Sequence, residues 1–274
     1  MYHKFYGFKE SPFTLTPNSK FFFPSAKHTE ALNAMVYAIE ERKGFVVITG
    51  EIGSGKTTVC RTLLNKLEAN TKVALIANTH VSSRELLMFI LDDLEVSYTP
   101  GPKSKLIAQL NNFLIEQLHR DNNVVLIIDE AQNLTPSVLE EVRMLSNLET
   151  ETEKLIQIIF LGQPELREKL ALSRLKQLQQ RIAVYFHLNP LTRDETREYV
   201  YHRLRIASGT DHKYFTNGAI DLIYQFSQGT PRLINQICDS ALLAGYASDS
   251  HIIDEETLKE VIIDSPMNQI GVAS

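Results

Sequence analysis

"GFVVITGEIGSGKTT", residues 44–58, places an apolar, β-branched run directly before a cluster of glycines, a lysine and two threonines. Gly50, Gly55, Lys56 and Thr57 satisfy the pattern G-x-x-x-x-G-K-[ST]. The run predicts a strand over 45–49 and the residues beyond it a helix over Thr57–Leu67, the strand–loop–helix context that the pattern's mechanism requires. Glycines let successive backbone N–H groups curl around phosphate oxygens, and the helix N-terminus adds a partial positive charge. Gly50, Glu51, Ile52, Gly53, Ser54, Gly55, Lys56, Thr57 and Thr58 are therefore the candidate phosphate-binding residues. Lys56 would reach the β and γ phosphates of a nucleotide and the Thr57 hydroxyl would ligate Mg²⁺, while Ser54 is expected only as a small loop residue. The alternative, a plain glycine turn, fits the preceding strand less well.

Four more apolar runs read as buried strands of a parallel sheet: "VALIA" (73–77), "VVLIID" (124–129), "LIQIIFL" (155–161) and "IAVYFHL" (182–188). Between them Ser83–Leu94, Lys105–Arg120 and Ser137–Leu148 carry apolar residues at helical spacing. Strands alternating with helices predict an α/β, doubly wound sheet of five parallel strands. After Pro190 the strand signal stops and helix starts take over. Thr192 with Glu195 has capping-box spacing, Thr216 or Asn217 can cap a second helix, Pro231 suits a first turn, and Asp254 can cap a last helix. Gly209 and Gly229 read as helix ends. The expected organisation is an α/β domain over 1–190, a small all-helical lid over 191–265 and a flexible tail over 266–274.

Further polar positions cluster at the predicted strand ends. In "VVLIIDEAQNL" a buried strand ends in Asp129 and Glu130. In a nucleotide site the first would hold the metal, and the second would orient and polarise the attacking water. The alternative is two solvated carboxylates capping the next helix. Gln163, in "IIFLGQPEL", would lie beside the Asp129 strand in the usual winding of this class and place an amide near the γ-phosphate; otherwise it is a turn residue before Pro164. Arg232, in "GTPRLIN" (229–235), could fold over the phosphates from the helical unit, or be a surface charge. Arg181, in "LKQLQQRIAVYF", would serve a neighbouring subunit's γ-phosphate in trans, with Arg174 seven residues upstream as the other candidate; a salt bridge is the alternative for both.

Together the phosphate loop, "IIDE", the polar strand end, "QQRI" and "GTPR" resemble an AAA+ ATPase, a P-loop NTPase with a helical lid. The opening "FYGFKESPFTLTP", then "HTEAL", "GFVVITGEIGSGKTT", "IIDEAQNL", "NLET", "LGQPEL", "LQQRI" and "GTPRLIN" resemble the ExeA/GspA-type ATPases of general secretion and their shorter relatives in mannose-sensitive haemagglutinin pilus biogenesis. The match runs from about residue 1 to 250. It implies ATP and Mg²⁺ as ligands, ATP hydrolysis, self-association into a ring or filament, and a protein partner in an envelope secretion or type IV pilus system. Longer members of the family continue into a membrane-spanning segment and a peptidoglycan-binding region, and this chain stops after the lid. The module is also similar to helper ATPases of transposons, which bind DNA and recruit a transposase.

Bulk properties constrain these readings. Lys and Arg number 28 against 33 Asp and Glu, a net charge of −5, so the overall balance marks neither a dedicated nucleic-acid binder nor a membrane-surface protein. Two cysteines, Cys60 and Cys238, are too few for a disulfide framework and suit a reducing compartment, with cytoplasm the expectation and any membrane association peripheral, through a partner. No window approaches the roughly eighteen apolar residues of a spanning helix, so direct membrane insertion is not expected. Arg193, Arg197, Arg203 and Arg205, with Arg174, Lys176 and Arg181, could line a DNA groove, but the interspersed Asp194, Glu195 and Glu198 favour a solvated helix face. The aromatic opening (Phe5, Tyr6, Phe8, Phe13, Phe21, Phe22, Phe23) would either wrap an adenine base, with Pro12 and Phe13 on the adenine side, or plug the edge of a core. His28, close to Glu30, reads as a structural polar contact.

Overall fold

A computed structural model of the chain describes residues 2–151 and 153–265. The tail expected at 266–274 lies outside the described residues. The strands are β1 (Phe45–Gly50), β2 (Thr71–Ile76), β3 (Asn123–Ile128), β4 (Gln157–Gly162) and β5 (Ile182–Leu188). The helices are α1 (Tyr2–Tyr6), α2 (Ala26–Glu40), α3 (Lys56–Leu64), α4 (Ser83–Asp93), α5 (Lys103–His119), α6 (Pro136–Leu145), α7 (Pro164–Leu170), α8 (Lys176–Gln179), α9 (Arg193–Ser208), α10 (Asn217–Ser227), α11 (Pro231–Ala247) and α12 (Glu255–Ile263). The chain packs as two units. Among the described residues, one comprises Thr29–Glu51 and Val59–Leu188; the other comprises Tyr2–His28, Ile52–Thr58 and Asn189–Ser265.

The first unit is a five-stranded sheet, all parallel, in the order β2-β3-β4-β1-β5. In-register residues Ala74, Leu126 and Ile158, then Ile76, Ile128 and Phe160, form one apolar face, joined from β1 by Phe45 and Val47. Leu86, Leu87, Ile90 and Leu91 of α4, Leu106, Leu110 and Leu114 of α5, and Val138, Leu139 and Val142 of α6 complete this core. Val46, Ile48, Val125, Ile127, Ile159 and Leu161, on the other face, are buried as well. A parallel sheet covered on both faces needs such continuous apolar strands.

Strand limits differ from expectation where edges and turns intervene. β2 starts at Thr71 rather than at 73 and stops at Ile76, because Thr71 and Lys72 pair with Asn123 and Val124. β2 is an edge strand, where polar residues are tolerated. Leu155, expected to open β4, instead closes a turn by donating to Leu148 O at 3.2 Å. β3 stops at Ile128, one residue before Asp129. The sequence reading did not identify α2, which buries Ala31, Leu32, Met35, Ala38 and Ile39 at helical spacing.

The second unit is helical. Thr192 and Glu195 form a complete capping box on α9, and Gly209 ends that helix in the left-handed region. Thr216, rather than Asn217, caps α10; Pro231 occupies the first turn of α11, and Asp254 caps α12. The aromatic opening packs with these helices: Tyr2, Tyr6, Phe8, Phe13 and Phe21 share a core with Tyr199, Leu204, Tyr214, Phe215, Ile237 and Leu242.

Gly229 has φ +76, and a Cβ there would stand 1.9 Å from Leu191 O. Leu191 N–H donates to Gly229 O at 2.9 Å, so neither backbone can retreat without losing that bond. Gly229→Ala is expected to lower stability by about 2–4 kcal/mol, read as a shift in the urea unfolding midpoint.

Candidate functional site

In the helical unit the loop after β1 turns through two left-handed glycines, Gly53 (φ +80) and Gly55 (φ +99). α3 starts at Lys56, which is buried, and Thr57 and Thr58 follow in its first turn. Gly50 ends β1, while Glu51 and Ile52 are exposed. The Ser54 hydroxyl oxygen is buried with no hydrogen-bond partner among the described residues. An unsatisfied buried hydroxyl costs about 1–3 kcal/mol, so Ser54 is more than a small residue: it presents a donor that a phosphate oxygen would satisfy. Arg232 lies at the same loop. Its N–H donates to Gly53 O at 3.2 Å, and a Cβ at Gly53 would be 2.5 Å from Arg232 Cβ, so only glycine fits there.

His28 is the residue of this loop's surroundings that the sequence reading undervalued. It is buried, its Nε2 lies 2.9 Å from Ser54 O and its Nδ1 lies 2.7 Å from Ser25 Oγ. A carbonyl only accepts, so Nε2 carries the ring proton and Nδ1 accepts from the Ser25 hydroxyl. The polar contact expected at His28 is thus with two serines.

In the sheet unit the ends of β3 and β4 meet, as the strand order demands. Glu130 sits in the left-handed region at φ 53 and ψ 39. Its N–H donates to Asp129 Oδ1 at 2.9 Å, and its carbonyl accepts from Thr79 Oγ1 at 3.1 Å. Gln163 Nε2 donates to Glu130 Oε2 at 3.1 Å, and Gln132 Nε2 donates to the same oxygen at 2.5 Å. Gln132 Oε1 in turn accepts from the Gln163 N–H at 3.1 Å. Gly162 admits this amide, since a Cβ there would stand 3.1 Å from Gln132 Oε1. Lys169, on α7, ties the turn down by donating to the carbonyls of Gln132 and, at 2.8 Å, of Leu134. Gln132 and Lys169 were not found from sequence; the only signal was the amide two residues after Glu130.

The remaining candidates lie elsewhere. Arg181 donates to Ser146 Oγ at 2.9 Å and has no carboxylate partner among the described residues, so the salt-bridge alternative does not apply to it. Arg174 is exposed. Pro12 and Phe13 are buried in the helical unit, with the Phe13 ring edge-on to Phe215 at 6.4 Å, which is the core-plug reading of the aromatic opening. The α9 arginines form no basic stripe. Arg193 pairs with Asp221, Arg197 with Asp194 and Arg205 with Asp211. Arg203 is buried, bonded to Pro12 O and Tyr199 OH, with its guanidinium 4.7 Å from the Phe21 ring centroid.

Residues 39–170 match the AAA domain family. Over 254 residues, 92% of the chain, the sequence is 42% identical to general secretion pathway protein A of Aeromonas hydrophila. The chain has the AAA+ P-loop NTPase fold. It is homologous to general secretion pathway protein A and spans 46% of that relative's length. Solved structures with the same fold include the ORC2 protein of Aeropyrum pernix (TM-score 0.67, 13% identity, 94% of this chain and 75% of that one). Cdc6p of Pyrobaculum aerophilum is similar to the same degree (TM-score 0.67, 17% identity, 98% and 73%). The Aeropyrum pernix ORC1 protein, solved in complex with DNA, has TM-score 0.68 at 16% identity over 92% and 68% of the two chains. At these identities the likeness shows the fold alone.

Taken unit by unit, the donors present are of the kinds a magnesium nucleotide takes. In the helical unit, left-handed glycines, a helix N-terminus, an orphaned hydroxyl and a buried lysine suit phosphate, and the Thr57 hydroxyl is a hard oxygen donor of the kind Mg²⁺ takes. In the sheet unit, the Asp129 carboxylate is a donor of the same kind. No group of three or more His, Cys, Asp or Glu suited to a metal occurs among the described residues. No helix among the described residues is long and apolar enough to cross a membrane.

Burial holds the His28 pKa below its ordinary value, against the opposing pull of the Ser54 carbonyl and Glu195. A histidine depressed in the folded state binds its proton more readily when unfolded, so it contributes stability above the unfolded pKa near 6.5 and loses it as pH falls toward the folded value. Burial lowers the pKa of His202 in the same sense. Stability of the wild type should therefore decline from pH 7 downward, and His28→Gln should flatten part of that decline in urea titrations repeated across pH.

Proposed function

We propose that this AAA+ ATPase hydrolyses ATP and uses the cycle to drive or regulate assembly of an envelope secretion or type IV pilus system. The observation that carries the reading is the 42% identity to general secretion pathway protein A, which extends across 254 residues. Localisation would be cytoplasmic, peripheral to the inner membrane through a protein partner. The arginines paired or buried along α9 give the DNA-binding transposition helper no support of its own.

The chain's groups divide the work. Lys56 and the N–H groups of 53–58 would hold the phosphates, with Thr57 and Asp129 as metal ligands. Mg²⁺ would neutralise charge at the β and γ phosphates. Glu130 would align a water for in-line attack on the γ-phosphorus and take its proton as the bond to the β-phosphate oxygen breaks and ADP leaves. The amides of Gln132 and Gln163, both on Glu130 Oε2, would set that carboxylate's direction. Gln163 and Arg232 would sense the γ-phosphate. In a ring or filament Arg181 would reach a neighbouring subunit's nucleotide; Arg181→Ala should then abolish the turnover gained on assembly while sparing ATP binding.

Steady-state ATP hydrolysis by the purified chain, with and without duplex DNA at moderate salt, tests the reading. Turnover should be indifferent to DNA, and Glu130→Gln should lower kcat about 10²-fold or more. Strong stimulation by DNA that fades as salt rises would replace the secretion reading with the transposition helper. Gln132→Ala should reduce kcat about tenfold with KM little changed, because it disturbs the base and leaves phosphate binding alone.

A further inference from the structure

"SAKHTEAL", residues 25–32, carries a histidine in the first turn of α2. Ser25 Oγ accepts from the His28 N–H at 3.3 Å and therefore caps the helix. The same hydroxyl lies 2.7 Å from His28 Nδ1, to which it gives its proton, so the ring's orientation and tautomer are both set by one serine. The proton left on Nε2 is directed at Ser54 O, 2.9 Å away. The ring also lies against Gly55, where a Cβ would come within 2.9 Å of Nε2.

A trans peptide is planar, with its C=O and the following N–H pointing in opposite directions. Gripping the Ser54 carbonyl therefore fixes the direction of the Gly55 N–H, which points away from the imidazole. Gly53 and Gly55 are glycines at φ +80 and +99, where backbone freedom is greatest and an unrestrained loop has the most conformations to lose on binding. The buried Ser54 hydroxyl, without a partner among the described residues, belongs to the same peptide segment.

We propose that His28 is a positioning residue for nucleotide binding, its Nε2–H holding the Ser54 peptide so that the Gly55 N–H stays turned toward bound phosphate. This rests on the reading that residues 50–58 bind ATP. The imidazole touches neither the nucleotide nor the attacking water; it acts through the loop. The effect falls on affinity for any nucleotide with the shared phosphates, ADP as well as ATP, and not on the chemical step.

The test uses the full chain, with dissociation constants for ATP and ADP by calorimetry, kcat and KM for hydrolysis, and thermal unfolding without nucleotide, for wild type, His28→Ala and His28→Gln. His28→Ala should weaken both nucleotides about tenfold, the worth of one lost buried hydrogen bond, and raise KM in step while kcat stays nearly constant. His28→Gln keeps a donor at the Nε2 position and should recover affinity to within about threefold of wild type, even if both variants unfold at similar temperatures. Equal affinity in wild type and His28→Ala, equal loss in the alanine and glutamine variants, or a fall in kcat at unchanged affinity would each overturn the positioning role. Failure of the wild type to bind either nucleotide would overturn the ATP reading itself, and this one with it.

Discussion

Burial of a parallel sheet on both faces confines its polar chemistry to the strand ends. All six residues of β1 and all six of β4 are buried, and the last five of β3 are too. Two polar side chains survive among these buried positions, and each sits near a strand end. Thr49 directs its hydroxyl to Tyr185 and His187 of the edge strand β5, while Gln157 opens β4. The turns leaving the strands are constrained in their own way, by the order β2-β3-β4-β1-β5. Because β3 and β4 are neighbours, the carboxylates after one and the amide after the other must meet. Glu130 adopts a left-handed backbone there, a cost of about 1–2 kcal/mol for a residue with a Cβ, which bonds from Thr79, Gln132 and Gln163 offset.

The same constraint decides what could be read from sequence. Strands buried on both faces announce themselves as unbroken β-branched runs, and the glycine pattern after the first run marks a strand–loop–helix turn, the candidate phosphate loop, without any tertiary information. Helix caps in the C-terminal unit were equally legible, since Thr192 and Glu195, or Asp254 and Thr257, satisfy each other within one turn. Contacts between segments distant in sequence were not. Gln132 reaches Gln163 across 31 positions and His28 reaches Ser54 across 26, and no local period encodes either. Arg203 misled in the opposite direction. Its neighbours Arg197 and Arg205 are partly exposed and paired with carboxylates, yet Arg203 itself turns inward and stacks on Phe21. A helix bearing many charges still has an inner face, and counting charges does not locate it. The α2 helix carries a regular apolar period of its own, Ala31, Leu32, Met35, Ala38 and Ile39, so it was legible in the sequence as well.

Two consecutive carbonyls of the phosphate loop accept bonds from the helical unit: Gly53 O from the Arg232 N–H, and Ser54 O from His28. By peptide planarity the N–H groups next in the chain, those of Ser54 and Gly55, both point away from these partners. Successive N–H groups held in this way form a nest, the concavity in which backbones bind anions. If residues 50–58 bind phosphate as proposed, the site would be shaped by restraining the acceptors behind it, leaving the donors to the ligand. At the "GTPR" turn the bond to Gly53 comes from the Arg232 backbone, at the start of α11, so the placement of that helix governs the Ser54 amide whatever side chain stands at 232. A nucleotide bound at this loop would therefore bear on α11 through the main chain, and the Arg232 guanidinium would add its charge to that link.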